Sequence, residues 1–336
     1  MEKIFISGGA GFIGSNLARL YLGKGSHVVV YDNLSRPNSE KNLQWLRACK
    51  KGKLEFIKGD IRELRTIKRY IKDCSLVFHE AAQVAVTKSL EAPIEDFEIN
   101  ATGTLYMLEA IRQVSPNSIF IYASTNKVYG SLEDVDCVEL KTRYKFNNRK
   151  YNKGISEERN LDFHSPYGCS KGAGDQYVRD YARVYGLKTI VFRQSCIYGQ
   201  RQFGSEDQGW VIHFVRHALE GKPITIYGDG KQVRDLLYIE DLLNAYQLAI
   251  KKIRKSQGEV FNIGGGIENA FSLIELIEVL GKLLGKDIKH SFSDWREGDQ
   301  KIYISDNSKL EEKLGWKSKI DKSKGVEFLI EWAKTI

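Results

Sequence analysis

The sequence is marked first by what it does not contain. No apolar run approaches the roughly 20 residues that a membrane-crossing helix needs, and the N-terminus enters the strand-like KIFISGG at once, which leaves no room for a signal peptide. The five cysteines (Cys49, Cys74, Cys137, Cys169 and Cys196) are odd in number, scattered, and never form a CxxC pair. Neither a disulfide framework nor a zinc ribbon is indicated, so reduced thiols and a soluble, cytoplasmic chain are expected. HExxH is missing as well; His213 and His217 share a helix face without an acidic companion motif, and no metal site is expected. Charge of one sign is modest, with Lys+Arg 51 against Asp+Glu 43 giving +8, and short clusters such as KKIRK read as solvated helix ends. That argues against nucleic acid as a partner and suits an anionic small molecule.

What is present is an alternation. The chain has 336 residues, 42% hydrophobic and 28% charged, enough to bury a full core as one large or two modest domains. Short β-branched or aromatic runs recur at 3–7, 27–32, 54–60, 76–82, 118–125 and 188–193. They lack the apolar/polar alternation of a half-exposed strand, which implies strands buried on both faces. Helical segments lie between them, so the fold class expected is α/β, a Rossmann-type doubly wound parallel sheet. Residues 1–194 read as this dinucleotide-binding domain. Residues 195–336 read mainly as a smaller C-terminal α/β substrate-binding domain, with helices at 240–253, 272–284 and 324–334 and a short strand near 259–263 able to rejoin the first sheet. A polar, basic, weakly periodic insertion occupies about 134–163, either a flexible surface loop or a substrate-contacting lid.

ISGGAGFIGSNL spaces Gly8, Gly11 and Gly14 as GxxGxxG between the first strand and the first helix. Glycines there allow a tight turn, close backbone approach to a pyrophosphate and close helix–sheet contact, while the helix N-terminus offers N–H donors. Asp32 ends the second strand, where a carboxylate binds the adenosine ribose 2′-hydroxyl and repels a 2′-phosphate, favouring NAD over NADP. Arg36 nearby runs the other way and is read as an exposed loop arginine. Asp60 and Ile61 can flank the adenine, and the small Ala81 and Ala82 of EAAQ let phosphates and ribose come close. The cofactor set read here is Gly8, Gly11, Phe12, Ile13, Gly14, Asp32, Asn33, Asp60, Ile61, Ala81, Ala82 and Gln83, one ligand lying across the carboxyl ends of a parallel sheet.

SPYGCSKGAGDQYVRDYARVYG (165–186) reads as a helix despite Gly168, Gly172 and Gly174, each costing about 1 kcal/mol relative to alanine. Ser165 can cap it and Pro166 suits its first turn. Tyr167 and Lys171 lie one turn apart on one face. A tyrosine with pKa about 10 becomes a base near neutrality only beside positive charge, which Lys171 and an oxidised nicotinamide would supply. The glycines are read as letting cofactor or neighbouring backbone approach that face. Upstream, YASTNKVYG puts Ser124 and Thr125 at the end of the fifth strand, where a hydroxyl can bind a substrate oxygen.

With these motifs the chain resembles the extended short-chain dehydrogenase/reductase family of nucleotide-sugar epimerases and dehydratases over essentially its whole length. The resemblance is carried by GxxGxxG, the Ser/Thr before VYG, YGCSK, YGDGKQVRDLLYIEDL and REGDQ. It implies Thr125 as catalytic hydroxyl with Ser124 assisting, Tyr167 as acid/base, and Lys171 as its partner. Tyr167, Lys171 and Asn100 join the cofactor set, although Asn100 suits a helix cap equally. Arg234 and Arg296 match diphosphate-clamping arginines, the alternative being surface salt bridges to Asp235 and Glu297. Arg201, Gln202, Asn126 and Thr125 complete the substrate set. YDNLSR, STNKVYG and LDFHSPYGCSKGAGDQY are similar to the branch acting on CDP-sugars at C2. That branch implies conversion of CDP-paratose to CDP-tyvelose through a transient 2-keto sugar, and the sequence leaves open whether CDP-glucose and CDP-mannose are interconverted as well. A 4-epimerase is the alternative; Ser195 and Cys196 stand where 4-epimerases commonly carry Phe and Asn. A 4,6-dehydratase is disfavoured because Asn126 and Lys127 replace its Asp-Glu pair, and a non-enzymatic NAD-binding protein is disfavoured by the retained Thr125, Tyr167 and Lys171. The family's pairing of the 101–113 helix with the 165–186 helix implies a homodimer, or a homotetramer.

Overall fold

Residues 4, 5 and 6 show how the sheet is sealed: Ile4 and Ile6 enter one hydrophobic cluster while Phe5 enters the other. The same split recurs at Val28 and Val30 against Val29, and at Phe192 against Val191. Side chains alternate across a pleat, so a strand covered on both faces needs apolar residues at consecutive positions. The sheet itself has seven strands in the computed structural model, which describes residues 1–296 and 299–336. They are β1 (Lys3–Ser7), β2 (His27–Asp32), β3 (Lys53–Lys58), β4 (Leu76–His79), β5 (Ile119–Thr125), β6 (Lys188–Gln194) and β7 (Val260–Ile263). Their order is β7-β6-β5-β4-β1-β2-β3 and every neighbour pair is parallel.

Strand order reverses between β1 and β4, which opens a crevice at their carboxyl ends. Three helices position the groups around it: α1 (Phe12–Gly23), α2 (Gly103–Val114) and α3 (Ser165–Tyr185). α2 continues a helical stretch that starts at Pro93 and passes through a π-helical turn at Glu98–Thr102. Beyond β6, the strand Val233–Tyr238 pairs with Cys196–Tyr198, Ala270–Ser272 and Ile302–Tyr303 in a smaller sheet. The cluster that holds Ile4 and Phe78 also holds Leu242, Val215 and Leu329, so the core is continuous from the main sheet into the C-terminal helices. Among the described residues no helix is long and apolar enough to cross a membrane.

The insertion at 134–163 is neither of the things its composition suggests. Cys137–Glu139 and Tyr144–Phe146 form an antiparallel hairpin. Tyr144 N–H donates to Lys231 at 2.9 Å and Ile155 N–H donates to Ile304 at 2.7 Å. Val135, Tyr144, Phe146 and Ile155 are buried in a third cluster with Val233 and Tyr303. None of its described residues lines the clefts described below, so it acts as a brace on the C-terminal sheet rather than as a flexible loop or a lid.

Two of the three α3 glycines, Gly172 and Gly174, answer to neighbouring side chains. A Cβ at Gly172 would stand 2.3 Å from the Phe163 ring and one at Gly174 would stand 2.4 Å from Tyr122 Oη, while one at Gly168 would meet the Lys127 carbonyl at 3.3 Å. Only Gly168 thus faces neighbouring backbone. Ser165, itself at φ +67, accepts a hydrogen bond from Gly168 N–H at 3.3 Å. Gly174→Ala is expected to destabilise the chain by about 1–3 kcal/mol in urea unfolding, because the clash with a fully buried tyrosine outweighs the roughly 1 kcal/mol of helix propensity gained.

Candidate active site

Two adjoining clefts run along the carboxyl edge of the sheet. The first, of about 460 Å³, is lined by the Gly8–Gly14 turn, Asp32, Asn33, Asp60, Ile61 and Ala81 to Gln83. Gly8 sits at φ +68, where a Cβ would stand 2.6 Å from Ala81 N, and a Cβ at Gly14 would stand 2.2 Å from Gly8 O. The turn is therefore closed to any larger residue. α1 begins there with no side-chain cap and no acidic residue in its first turn, which leaves its N–H donors to an anion. Asp32 accepts from Ala10 N–H at 2.9 Å and Leu34 N–H at 2.8 Å. Burial raises its pKa while the backbone donors oppose that shift; with about four acceptor sites a carboxylate keeps capacity for a ribose diol. Asn33 donates to Asp60 at 3.2 Å, and the Arg62 guanidinium holds the Asp60 carboxyl down at about 2. A glycine cradle, open helix donors and a terminal carboxylate fit an adenine dinucleotide. Arg36 is not idle on its loop: it reaches across this cleft and donates to Gln208.

Asn100 is not a helix cap. It lies inside the π-helical turn, buried, and exchanges hydrogen bonds with the Gln83 backbone: Gln83 N–H donates to its side-chain oxygen and its amide donates to Gln83 O, each at 3.0 Å. The same amide donates to Ser170 of α3 at 3.1 Å. It lines neither cleft, and holds the Gln83 loop in place from behind.

The second cleft, of about 660 Å³, is lined by Ser124 to Lys127, Tyr167 and Lys171, and meets the first at Phe12, Ile13, Glu80 and Ala82. Thr125 is directed at the phenol of Tyr167 and favours its ionisation, yet burial dominates and pushes that pKa up to about 12. Lys171 is not what counters it. Its Nζ donates to the Ala123 carbonyl at 2.6 Å and lies 4.3 Å from the Tyr122 ring centroid; burial draws its own pKa down to about 8, opposed by Glu80. Of the two positive charges expected to favour a phenolate, the lysine is anchored to the β5 carbonyl of Ala123. Ser124 is diverted too. Its hydroxyl donates to Asp175 at 2.8 Å. Asp175 is in turn the bidentate partner of Arg193, through Nε and Nη2 at 2.9 Å each, and Arg193 Nη1 reaches Tyr129 at 2.9 Å.

Arg234 and Arg296 both line the second cleft. Arg234 pairs with Asp299, not with the neighbouring Asp235, whose carboxyl accepts from Ser195, Gly266 N–H and Ser305 N–H. Arg296 pairs with Asp207 at 3.2 Å and lies 4.0 Å from the Tyr227 ring centroid; Glu297 and Gly298 of the same motif lie outside the described residues. Asn126 donates to Gln300 at 3.5 Å at the cleft wall. Gln202 borders both clefts, with its side-chain oxygen buried and unpartnered. Arg201 is misplaced by the sequence reading: it lines only the cofactor cleft, 4.4 Å from the Trp45 ring centroid. Its backbone sits in the left-handed region at φ +69. Among the described residues no group of three or more His, Cys, Asp or Glu could hold a metal ion.

Two cleft residues were missed. Lys127 follows Thr125 by two positions, and Glu80 stands where the clefts join, with Oε1 buried and unpartnered. The signal for Glu80 was a carboxylate directly after four buried strand residues. Burial raises its pKa to about 7 from 4.5, opposed by Tyr246 and Lys171. For an acid with a raised pKa, the stability tied to the neutral form is complete below the unfolded value and lost as pH rises through the folded one. Between about pH 4.5 and pH 7, unfolding of the ligand-free chain at stepped pH should therefore show a loss in the parent that Glu80→Gln does not share.

The comparisons with known proteins agree with this geometry. A family model described as GDP-mannose 4,6 dehydratase matches residues 5–328. CDP-paratose 2-epimerase of Salmonella typhi is 46% identical, over 99% of this chain and 100% of the relative. The solved UDP-glucose 4-epimerase of Thermotoga maritima with UDP-glucose is 31% identical with a TM-score of 0.83, covering 99% of each chain. UDP-glucuronic acid 4-epimerase of Bacillus cereus, in complex with UDP-glucuronic acid and NAD, is 29% identical with a TM-score of 0.85 and the same coverage. With a seven-stranded parallel sheet, a glycine cradle at its switch point and a tyrosine–lysine turn facing the adjoining cleft, the chain belongs to the GDP-mannose 4,6-dehydratase family of extended short-chain dehydrogenases/reductases.

Proposed function

We propose that the chain is an NAD-dependent isomerase that inverts C2 of a CDP-linked sugar, interconverting CDP-paratose and CDP-tyvelose. The observation that carries this is the 46% identity, end to end, to a 2-epimerase of CDP-paratose. Thr125 and Tyr167 line one cleft together with Arg234 and Arg296, which supports it. The family model's name is a dehydratase, but elimination needs an acid and a base beside the threonine, and Asn126 and Lys127 offer neither carboxylate.

NAD fits the first cleft; when bound, it supplies the hydride acceptor and donor that makes a transient 2-keto sugar accessible, together with a positive ring near the phenol. The chain's own residues do the rest. Asp32 holds the adenosine ribose, and the Gly8–Gly14 turn and the α1 N-terminus hold the pyrophosphate. Tyr167 takes the proton of the 2-hydroxyl and later returns it, and Thr125 orients that oxygen. Lys171, fixed to the Ala123 carbonyl, holds a positive charge beneath the tyrosine. Arg234 and Arg296 clamp the diphosphate by charge-assisted pairing. Ser124 acts through Asp175 as a positioning residue.

A 4-epimerase is the second reading, favoured by the likeness to the Thermotoga and Bacillus structures. Incubation with CDP- and UDP-hexoses in deuterated water, with the inverted carbon assigned by NMR, separates the two. Inversion at C2 with protium retained supports the proposal; inversion at C4 supports the second reading, and deuterium at the inverted carbon rules out hydride shuttling. Tyr167→Phe is expected to lower kcat by about 10²–10⁴-fold with CDP affinity little changed.

We further propose a homodimer built on the helical stretch from Pro93 to Val114 and on α3, where Ile94, Phe97, Tyr177, Val184 and Tyr185 are exposed. Light scattering is expected to give twice the 38.3 kDa of one chain. Five free cysteines are consistent with a reducing, cytoplasmic setting.

A further inference from the structure

Among the described residues, those that border both clefts are apolar at Phe12, Ile13, Ala82 and Val84 and polar at Glu80, Gln202 and Gln208. Gln208 is engaged, since its side-chain oxygen accepts from Arg36. The other two each keep an oxygen that is shut off from water and has no hydrogen-bond partner, Glu80 Oε1 and Gln202 Oε1. Neither side chain is loose. Gln202 Nε2 donates to the Ile197 carbonyl at 3.3 Å, which commits the nitrogen and leaves the oxygen as an acceptor. Gly209, at φ +80, makes room for that amide, because a Cβ there would stand 3.1 Å from Gln202 Nε2. Glu80 is held as well: Tyr246 accepts from Gln194 Nε2 at 2.7 Å, so its own O–H is directed at the Glu80 carboxyl. A buried acceptor without a donor is costly, and a ligand that brings an N–H or O–H removes the cost.

Asp32 lines only the first cleft and Tyr167 only the second. A dinucleotide with its adenosine at Asp32 and its redox carbon within reach of Tyr167 therefore has its pyridine ring where the clefts adjoin. A flat ring suits the apolar surfaces of Phe12, Ile13, Ala82 and Val84. The hydrogen-bond donor on that ring is the carboxamide, whose amino group carries two N–H donors, and two acceptors that lack a donor match it in number and kind. We infer that Glu80 and Gln202 together receive the amino group of the nicotinamide carboxamide and so fix which face of the ring is turned to the sugar. This rests on NAD as the cofactor of the epimerisation proposed above and adds to it the side chains that orient the ring. One ring face must serve both hydride transfers of a redox-neutral inversion. A carboxamide tethered at two points keeps the ring from turning about its glycosidic bond while the keto sugar reorients.

The test uses the full chain freed of bound nucleotide and reads binding by calorimetry, not turnover. NAD is compared with acetylpyridine adenine dinucleotide, which keeps the ring and its carbonyl but carries a methyl group in place of the amino group. ADP-ribose, which lacks the ring, is the control. The parent is expected to bind NAD about tenfold or more tighter than the acetyl analogue, as for one or two hydrogen bonds to buried acceptors. Glu80→Leu and Gln202→Leu should each weaken NAD and bring the two dinucleotides within about threefold of each other, with ADP-ribose little changed. Gln202→Glu, which keeps an acceptor, should recover most of the preference, and Gln202→Leu carries the test if the Glu80 variant does not fold. A parent that binds both dinucleotides equally overturns the inference while leaving NAD as the cofactor; a parent that binds neither overturns the NAD reading on which it rests. If ADP-ribose weakens as much as NAD in the folded variants, the oxygens serve the ribose or the pyrophosphate, and the inference falls. If CDP-paratose weakens while the preference for NAD stays, they serve the sugar, and it falls likewise.

Discussion

Asp175 and Arg193 meet out of water between α3 and β6, at 0% and 3% side-chain exposure, and the geometry of the site depends on this pair. Breaking such a pair by removing one partner leaves an uncompensated buried charge and costs about 3–5 kcal/mol. The pair is extended by further hydrogen bonds. Ser124 of β5 donates to Asp175, Arg193 extends to Tyr129, and Tyr129 donates to Asn262 of β7 at 2.7 Å. Asn262 then donates to Ile155 of the insertion at 2.8 Å. One network therefore sets α3 against three neighbouring strands, and the register of α3 on β5 is the distance between Tyr167 and Thr125. Gly174 leaves room for the Tyr122 side chain of β5 against the same helix.

Each cleft carries both signs of charge: Asp32, Asp60 and Glu80 face Arg36, Arg62 and Arg201 on the cofactor side, and Asp207 and Asp299 accompany Lys171, Arg234 and Arg296 on the substrate side. Burial moves several of these groups toward their neutral forms: Tyr167 up to about 12, Glu80 up to about 7, Lys127 and Lys171 down to about 8. A site in this condition is answered by ligands bearing the opposite charges, a positive ring on one side and a diphosphate on the other. That is the physical link between the cofactor cleft and the chemistry at Tyr167, since the lysine one turn away is fixed to a carbonyl and cannot do it alone.

Legibility followed the range of the interactions concerned. GxxGxxG, the strand-end carboxylate Asp32 and the tyrosine–lysine turn are local patterns, and each was readable because its chemistry needs those residues at that spacing. Arg234 as a cleft residue was readable, but its partner Asp299 was not, since 65 positions separate them. The composition of 134–163 read as loop because its apolar residues are few and irregular; a hairpin held by Lys231 and Ile304 needs no period of its own. Arg201 lines the cofactor cleft and not the substrate cleft, a placement set by the fold and not by its sequence neighbours.

Sequence alone determined that the chain builds a parallel sheet with a dinucleotide cradle at its carboxyl edge and a tyrosine one turn from a lysine, because periodicity and short motifs are properties of neighbouring residues. Tertiary structure alone decided which hydroxyl faces the tyrosine and which is spent on Asp175, and that Asn100 braces a loop instead of capping a helix. It also decided that Lys127 lies in the same cleft as Arg234. Burial and long-range pairing set those outcomes, and neither has a signature in the order of residues along the chain.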